Sequence, residues 1–403
     1  MAFITYKKSI KNLQQSFQAP TITEKIFLSD AIGRVLAVDI VARENSPKFL
    51  TSAMDGYALK HSDQSLGRIK IVGSLPAGEM HKEEIFKGQG IKTFTGSLMS
   101  SGTDTLIPIE NVSVDGSEII INKEVPKGFA VRVIGENYKK NEVLIEKAVV
   151  LNFAHIGVMA SLNISQIEVF KQPKVTIIAT GSEILDVGEK QTNESQIRSS
   201  NQFTLEALSK KAGAKTLRAP LAKDNKEIIE QIISQALEDS DIVVTTGGVS
   251  VGDYDFVKDI IAELEPEYIA DGVLIKPAQH IKIVKIGRKY IFALPGFPYS
   301  STVAFILYVI PLIYQLQGRE SALPMIEAIL KNPYKKKSNK TEFVAVNLSY
   351  KDGNYEVDFE GKKSGSSAIL TNMLGDVGLM IVNESSGDLK VGDKIEVIDL
   401  RGL

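Results

Sequence analysis

The segments KVTIIATG at residues 174–181 and DIVVTTGG at residues 241–248 each join an apolar strand pattern to a glycine turn. Apolar residues at helical spacing occupy the chain between them, near residues 201–212 and 226–237. This alternation predicts an α/β domain at residues 173–319, with an open, largely parallel sheet covered by helices. Ligands of such sheets bind beyond the carboxyl ends of the strands. The turns that follow the two strands are therefore the first candidates for a binding site.

Three further regions surround this predicted domain in the chain. Residues 1–44 and 139–172 carry apolar residues at helical spacing and predict a discontinuous helical domain. Residues 45–138 show short alternating apolar runs separated by Gly, Pro and Asp-Gly, which predict an inserted β domain. Residues 320–403 carry similar strand patterns and predict a small C-terminal domain that resembles a β-barrel.

Composition excludes several classes of protein. The 403 residues include 47 Lys and Arg and 49 Asp and Glu, and the net charge of -2 gives no electrostatic reason to expect nucleic-acid binding. The absence of Cys excludes disulfides, iron–sulfur clusters and cysteine nucleophiles. The amino terminus lacks the apolar core of a signal peptide, and the longest apolar stretch, residues 302–314, is too short to span a bilayer. We therefore expect a cytoplasmic protein without a membrane segment.

Acidic side chains follow the glycine turns at the strand ends. Glu183 follows the first turn, and Asp253 and Asp255 follow the second. Backbone N–H groups in such turns can cradle a phosphate, and carboxylates beside a phosphate indicate a divalent cation such as Mg²⁺ between them. The same residues also fit ordinary turns and helix N-caps. A third strand end, FALPGFPYSS at residues 292–301, favours the ligand site.

Other motifs carry less information when each is taken alone. The patterns GxxxxGK[ST] and GxGxxG are absent, which disfavours a P-loop kinase and a standard dinucleotide-binding domain. Asp55 and Gly56 in TSAMDGYAL can form a tight turn. The basic run at residues 335–337 fits a solvated linker between two domains.

Taken together, the motifs occur in the order typical of one protein family: TSAMDGYA (51–58), TGSLMSSGTDTLIPIE (95–110), RVIGEN (132–137), ATGSEI (179–184), TTGGVSVGDYDFVK (245–258), IKPA (275–278) and LPGFP (294–298). Over essentially its whole length the chain resembles the molybdopterin molybdenumtransferases, the MoeA/gephyrin E-domain family. The resemblance implies an elongated homodimer of four-domain subunits, each with a MogA-like α/β/α domain. It also implies Mg²⁺-dependent insertion of molybdate into adenylylated molybdopterin, with release of AMP.

The resemblance implies roles for individual residues as well. The active cleft would lie between the α/β domain of one subunit and the first β domain of the other, which would contribute Asp55 and Thr95. Asp55 would be a catalytic or water-orienting carboxylate. Glu183, Asp224 and Asp255 would bind Mg²⁺, and Glu183 and Asp255 would also take part in catalysis. The other implied substrate-binding residues are Gly181, Ser182, Gly247, Gly248 and Ser250 for the pterin phosphate, Lys276 for molybdate, Pro295 and Pro298 for the pocket wall, and Ser366 for an oxyanion.

Several positions depart from the pattern of the family. Gln279 replaces the second Lys of KPGKP, and Phe297 replaces the Asn of PGNP. Asn137 replaces the Asp of GED, and Lys340 stands where relatives often have Arg before Thr-Glu-Phe. Lysine keeps the charge of arginine and loses its two-pronged grip on an oxyanion. His280, next to Gln279, could supply a compensating cation.

Alternative functions remain compatible with these motifs. A catalytically weak paralogue could carry molybdenum cofactor or act as a chaperone for it, and a tungstate-specific transferase would use an oxyanion of nearly the same size and charge. A gephyrin-like scaffold fits less well, because nothing here resembles the extra amino-terminal domain and long linker of gephyrin. An adenylyltransferase is disfavoured by the attached β domains. We expect a MogA/MoaB-type adenylyltransferase and apo-molybdoenzymes as transient partners.

Overall fold

A computed structural model of the chain describes residues 3–17, 22–80, 82–249, 256–363 and 366–403. The chain divides into two compact units by its internal contacts. The larger unit comprises residues 1–37, 148–153 and 166–403, and the smaller unit comprises residues 38–147 and 154–165.

The helices are α1 (Tyr6–Ser16), α2 (Phe153–Ser161), α3 (Asn201–Lys211), α4 (Lys226–Asp239), α5 (Phe256–Glu263), α6 (Pro298–Ala304) and α7 (Ile310–Leu316). The first strands are β1 (Thr23–Phe27), β2 (Ile40–Val41), β3 (Thr51–Ser52), β4 (Gly56–Leu59), β5 (Arg68–Leu75), β6 (Gln89–Thr93), β7 (Thr105–Pro108), β8 (Val112–Asp115), β9 (Glu118–Ile121), β10 (Val131–Arg132), β11 (Val143–Ile145) and β12 (Gln166–Phe170). The later strands are β13 (Lys174–Ala179), β14 (Ile184–Leu185), β15 (Ile197–Arg198), β16 (Lys215–Arg218), β17 (Ile242–Thr246), β18 (Glu267–Asp271), β19 (Ile275–Lys276), β20 (Lys282–Ile286), β21 (Lys289–Leu294), β22 (Met325–Leu330), β23 (Thr341–Lys351), β24 (Asn354–Asp358), β25 (Val377–Val382) and β26 (Lys394–Asp399).

The predicted open sheet is confirmed in the larger unit. Its strand order is β16-β13-β17-β21-β20-β18, and the first four strands are parallel. Every residue of β17 is buried, as expected for a parallel strand covered on both faces. Alternate residues of β17 enter two different cores: Val244 packs in the core that includes α6 and α7, and Val243 packs in the core that includes α4.

The apolar stretch from Pro298 to Leu316 is helical and belongs to the core of the α/β domain. It comprises α6, a π-helical turn at Phe305–Val309 and α7. By length and composition alone these 19 residues could cross a membrane, but 83% of their most apolar window is buried inside the protein. Its apolar character is therefore explained by packing on the sheet, as the sequence predicts.

The C-terminal strands close into a small barrel, which confirms the predicted barrel-like fold. β23 pairs with both β24 and β25, and the ring is completed through β22 and β26. A closed ring leaves no unpaired sheet edge. The short strand β19, from the α/β domain, adds in parallel to the start of β23, and this pairing joins the barrel to the α/β domain.

The smaller unit contains a six-stranded sheet of order β7-β4-β6-β5-β9-β8. Its strands coincide with the alternating apolar runs that predicted a β domain there. β4 lies between β7 and β6 and is buried along its whole length. The short strands β3 and β10 form a separate antiparallel pair in the same unit.

The helical prediction for residues 1–44 and 139–172 is right for α1 and α2 and wrong for other segments. Thr23–Phe27 forms a strand, β1, and pairs antiparallel with β12. β2 likewise pairs antiparallel with β11. Burial along β1 alternates residue by residue, which is the period of a strand. The few apolar residues of this segment are spaced in a way that also fits a helix. The segment is too short for a helical period of 3.6 residues to be distinguished from a strand period of 2 residues.

Candidate active site

A large cavity opens at the carboxyl ends of the parallel strands β13, β17 and β21. Its volume is about 1240 Å³, above the range of roughly 300–1000 Å³ typical of sites for drug-sized ligands. The turns after these strands line the cavity together with segments of the C-terminal barrel. The whole cavity lies within the larger unit. It therefore occupies the edge at which open parallel sheets bind ligands.

The turn after β13 forms an acidic wall of the cavity. Gly181 has φ of +142°, and a Cβ at this position would lie 2.7 Å from Oε2 of Glu183. The backbone N–H of Ser182 donates to Oδ2 of Asp224 at 2.8 Å, and the N–H of Asp224 donates to Oγ of Ser182 at 3.2 Å. These reciprocal hydrogen bonds join the segments that follow β13 and β16. Glu183 and Asp224 consequently line the same wall.

The turn after β17 lies between the other two strand ends. Gly247 has φ of +97°, and a Cβ at this position would lie 2.9 Å from the carbonyl oxygen of Thr180. The N–H of Gly247 donates to the carbonyl of Leu294, the last residue of β21, at 3.1 Å. Gly247 and Gly248 both line the cavity. The backbone can approach its neighbours and a ligand this closely only because residue 247 has no side chain.

The turn after β21 is fixed from two sides. Pro298 is the first residue of α6, a position where the φ of proline suits a helix start. The side-chain amide of Asn201 donates to the carbonyl of Gly296 at 2.8 Å and so joins the start of α3 to this turn. Pro295, Pro298 and Asn201 all line the cavity. Sequence reasoning missed Asn201, although its place at the start of a helix beside the sheet was a usable signal.

Lys276 lies beside a buried carboxylate that sequence reasoning also missed. The parallel register of β19 and β23 places Lys276 next to Glu342. Nζ of Lys276 is 3.7 Å from Oε1 of Glu342, whose side chain is only 1% exposed. Both residues line the cavity. An acidic residue at the start of the otherwise apolar strand TEFVAV was the available signal, because an unpaired charge is rarely buried.

Hydrogen bonds from three residues stabilise the charge of Glu342. The hydroxyl of Tyr334 donates to Oε2 at 2.7 Å, and Oε1 accepts from the hydroxyl of Ser338 at 2.8 Å and the N–H of Lys337 at 3.2 Å. Burial tends to raise the pKa of Glu342, but these hydrogen bonds and Lys276 outweigh burial and hold the pKa below its ordinary value. Burial and the adjacent carboxylate raise the pKa of Tyr334, so its hydroxyl remains a donor.

Ser366 lies in the cavity wall that comes from the C-terminal barrel. Its hydroxyl accepts from the N–H of Ala368 at 3.2 Å. The neighbouring carbonyl of Ser367 accepts from the N–H of Ser300 at 3.3 Å, which joins this loop to the start of α6. The barrel loop and the turn after β21 therefore contact each other directly at the cavity.

Asp55 and Thr95 lie together in the smaller unit. The backbone N–H and the hydroxyl of Thr95 both donate to Oδ1 of Asp55, each at 2.8 Å. The backbone hydrogen bond and then the hydroxyl lower the pKa of Asp55, which is fully exposed. The structure thus brings together the two residues of this unit that the motifs single out, and Asp55 presents an ionised carboxylate to solvent.

The structure describes only some of the candidate metal ligands. Ser250, Asp253 and Asp255 lie outside the described residues. Within the described ranges, no group of three or more His, Asp or Glu side chains is close enough together to hold a metal ion. Glu183 and Asp224 are the two predicted ligands whose positions the structure gives, and both face the cavity.

Comparisons with known proteins agree with this geometry. Three sequence families match in order: the MoeA N-terminal region, domains I and II, at residues 4–163; a probable molybdopterin binding domain at 176–315; and the MoeA C-terminal region, domain IV, at 327–400. A molybdopterin molybdenumtransferase from Haemophilus influenzae is 30% identical, with 98% of each chain covered. The chain belongs to the molybdopterin molybdenumtransferase family. The family predicted from the motifs is confirmed, and with it an enzyme of molybdenum cofactor biosynthesis.

Other members of the molybdopterin molybdenumtransferase family are similar over the same length. The enzyme from Staphylococcus epidermidis strain RP62A is 28% identical, with 98% of this chain and 95% of the relative covered. The crystal structure of a molybdopterin biosynthesis MoeA protein from Pyrococcus horikosii superposes with a TM-score of 0.85 at 28% identity, covering 100% of both chains. The fold and the domain content are therefore those of the family.

Gln279 and Lys340, two residues that depart from the pattern of this family, are in contact with each other. Nζ of Lys340 donates to Oε1 of Gln279, which leaves the Nε2 amide of Gln279 to donate to Nε2 of His280 at 2.6 Å. The side chains of Lys340, Gln279 and His280 therefore contact one another in sequence.

Proposed function

We propose that this chain inserts molybdate into adenylylated molybdopterin and releases AMP, in a reaction that requires Mg²⁺. The observation that supports the proposal is the cavity at the sheet edge. It is large enough for an elongated substrate, and it combines carboxylates from the α/β domain with lysines from the barrel segments. Membership of the molybdopterin molybdenumtransferase family supplies the chemistry that such a cavity would perform.

The carboxylates in the cavity fit a magnesium ion. Mg²⁺ in proteins is usually held by one or two carboxylates together with substrate phosphates and water. Glu183 and Asp224 line one wall and supply ligands of this kind, and we propose Asp255 as a third ligand. When bound, the cation would neutralise charge on the phosphoryl oxygens. Oδ2 of Asp224 already accepts from Ser182, so this hydrogen bond orients the carboxylate.

We propose the following roles for the remaining site residues. The backbone at Gly181, Ser182, Gly247, Gly248 and Ser250 binds the phosphate of the pterin, Lys276 attracts molybdate, Pro295 and Pro298 shape the pocket, and Ser366 binds an oxyanion. Asp55 orients the attacking water, and Glu183 and Asp255 assist catalysis. The lowered pKa of Asp55 keeps its carboxylate ionised, and an ionised carboxylate can accept a hydrogen bond from the water that it orients.

We further propose a cytoplasmic homodimer, in which Asp55 and Thr95 act in the active site of the partner subunit. A MogA/MoaB-type adenylyltransferase would supply the nucleotide-linked pterin, and apo-molybdoenzymes would receive the product. The support for these proposals is the family to which the chain belongs.

The test is an assay of purified protein with adenylylated molybdopterin, molybdate and Mg²⁺, in which AMP release is measured. We expect release that depends on molybdate and falls by about 100-fold or more in Asp55→Ala, since a positioned general base typically contributes that much. Pterin binding without AMP release at any molybdate concentration would contradict the transferase.

The alternative function as a carrier of molybdenum cofactor is supported by one observation. Gln279 stands where relatives have a lysine; it forms hydrogen bonds with Lys340 and His280 and brings no charge to the cavity.

A parallel assay with tungstate in place of molybdate tests the alternative functions. AMP release that occurs with tungstate and does not occur with molybdate would favour the tungstate-specific transferase. Pterin binding without AMP release with either oxyanion would favour the carrier or chaperone.

A further inference from the structure

Phe297 is the most exposed of the aromatic residues that line the cavity. The structure describes five such residues: Phe297, Tyr299, Tyr334, Phe343 and Phe359. Tyr299 and Phe343 are buried. Tyr334 and Phe359 stack on each other, with ring centroids 5.6 Å apart, and both pack against the core of the barrel. Phe297 differs from these four because 58% of the residue is exposed.

The ring of Phe297 is not covered by another side chain group of matching chemistry. Among the residues that the structure describes, neither an aromatic ring nor a cation contacts it. A single exposed apolar residue on an outer surface needs no explanation. An exposed ring in the wall of a large cavity, in contrast, presents an apolar surface to whatever the cavity binds.

The backbone at Phe297 is held in place by its neighbours. Its carbonyl accepts from the N–H of Ser301 at 3.0 Å and from the hydroxyl of the same residue at 3.2 Å. The preceding residue, Gly296, is held by the amide of Asn201, and the following residue, Pro298, begins α6. Only the side-chain torsion angles of Phe297 remain to be ordered when a ligand binds. The entropic cost of using this ring for binding is therefore small.

The turn that carries Phe297 lies against the glycine turn after β17. A Cβ on Gly296 would lie 3.7 Å from the Cα of Gly247. Adjacent Cα atoms of a chain are about 3.8 Å apart, so the Cα atoms of Phe297 and Gly247 lie within about 9 Å of each other. The proposed function assigns the phosphate of the pterin to the glycine turn. The ring of Phe297 is thus within reach of a group attached to that phosphate.

We propose that the ring of Phe297 stacks on a planar nitrogen heterocycle of the substrate. The inference rests on the proposed function for the identity of the substrate. Adenylylated molybdopterin carries such a heterocycle on each side of its phosphates, the pyrimidine ring of the pterin and the adenine, and each has a π face that can stack on an aromatic side chain. The PGNP pattern has Asn at this position and offers no ring, so the stacking contact is a property of this chain.

The test is calorimetric titration of the full chain with adenylylated molybdopterin and Mg²⁺ in the absence of molybdate, so that binding is measured apart from molybdate insertion. We expect Phe297→Ala to weaken binding by about 10-fold, since stacking of a base on an aromatic side chain typically contributes that much. Phe297→Leu keeps an apolar side chain and loses the π face, and it should weaken binding by about 5-fold. Phe297→Trp keeps the π face and should stay within about twofold of the wild type.

Phe203→Leu is the matched control. Phe203 lies in α3 of the same domain, is 37% exposed and does not line the cavity. The guanidinium of Arg218 lies over its ring, 4.0 Å from the centroid. This variant should bind adenylylated molybdopterin within about twofold of the wild type. Equal thermal midpoints for the wild type and the Phe297 variants would show that the fold is intact.

The fluorescence of Phe297→Trp reports on the contact directly. The chain has no Trp, so this variant contains a single indole. Stacking on a heterocycle should quench the emission of this indole, and the emission of Phe203→Trp should not change with ligand. Separate titrations with AMP and with molybdopterin identify the ring. Quenching of Phe297→Trp and loss of affinity in Phe297→Leu with AMP would assign the contact to adenine, and the same results with molybdopterin would assign it to the pterin.

Three outcomes would overturn the stacking contact: equal binding of adenylylated molybdopterin by the wild type and Phe297→Leu, unquenched emission of Phe297→Trp at saturating ligand, or equal weakening in the Leu and Trp variants. The last outcome would show that the site recognises the size of the side chain and not its π face. The proposed function survives all three, because AMP release measures it separately. Failure of the wild type to bind adenylylated molybdopterin would remove the proposed function and the stacking contact together.

Discussion

The two walls of the cavity are held in place by different kinds of contact. Along β13, β17 and β21 the wall is made by the backbone, with Gly247 packed against Thr180 and hydrogen-bonded to Leu294. On the barrel side the wall depends on a single buried carboxylate, Glu342, which gathers its donors from one short segment. A wall made by closely packed backbone is sensitive to added volume. A wall held by one charge is sensitive to charge and pH.

The largest effect is expected where volume is added to the backbone wall. In Gly247→Ala the new Cβ would meet the carbonyl oxygen of Thr180 at 2.9 Å, at a φ of +97°. We expect a loss of stability of about 3 kcal/mol, seen as a thermal midpoint lower by about 5 °C, because both strain and overlap must be relieved. AMP release should fall with it, since the turn would move.

The matched control for this change is Gly188→Ala. Gly188 lies in the same unit with φ of +94°, and a Cβ there would meet nothing within 4 Å. Only the backbone strain applies, so we expect a loss of about 1 kcal/mol. Equal thermal midpoints for the two variants would show that the close approach of Gly247 to Thr180 contributes nothing.

A smaller effect is expected when the charge of the barrel wall is removed. In Glu342→Gln an amide replaces a carboxylate whose side chain is only 1% exposed. The NH₂ group of that amide would then face a hydrogen-bond donor, such as the hydroxyl of Ser338. We expect a loss of about 2 kcal/mol in a denaturant titration. Glu356→Gln is the control, because Glu356 also pairs with a lysine, Lys331 at 2.9 Å, but on the barrel surface. That change should cost less than about 1 kcal/mol.

The pH dependence of the same variant sharpens the comparison. The pKa of Glu342 is lowered in the folded protein, so its contribution to stability is present above the unfolded pKa of about 4.3 and is lost as pH falls through the lowered value. The difference in thermal midpoint between wild type and Glu342→Gln should thus be constant above pH about 5 and shrink below it. A difference that grew on acidification would contradict the assignment of the charge.

The backbone wall was predictable from local sequence pattern, whereas the contact that holds Lys276 beside Glu342 on the barrel side was not. Strand, turn and acidic residue follow one another in KVTIIATGSE and DIVVTTGG, so local pattern alone predicts where the turns meet. Lys276 and Glu342, in contrast, are 66 positions apart by residue number and meet through the pairing of β19 with β23. No local period carries information about such a contact. The run at residues 335–337 looked like a linker for the same reason.

Other errors have equally specific physical causes. β1 has only five residues, too few for apolar spacing to distinguish a strand from a helix, and its true partner β12 lies far along the chain. The sequence offers His280 only as a residue that could replace a missing cation, and its contact with Gln279 required the structure. The resemblance assigns Asp55 and Thr95 to the same β domain, while their contact and the two hydrogen bonds that lower the pKa of Asp55 required the structure.

The proposed metal site is tested most directly by the Mg²⁺ dependence of AMP release in the variant Glu183→Gln/Asp224→Asn. Asn at position 224 can still accept from Ser182, so the turn should keep its shape. We expect half-maximal AMP release by this variant to require a Mg²⁺ concentration at least about 10-fold higher than the wild type requires. AMP release with the Mg²⁺ dependence of the wild type would contradict the assignment of this wall as the metal site.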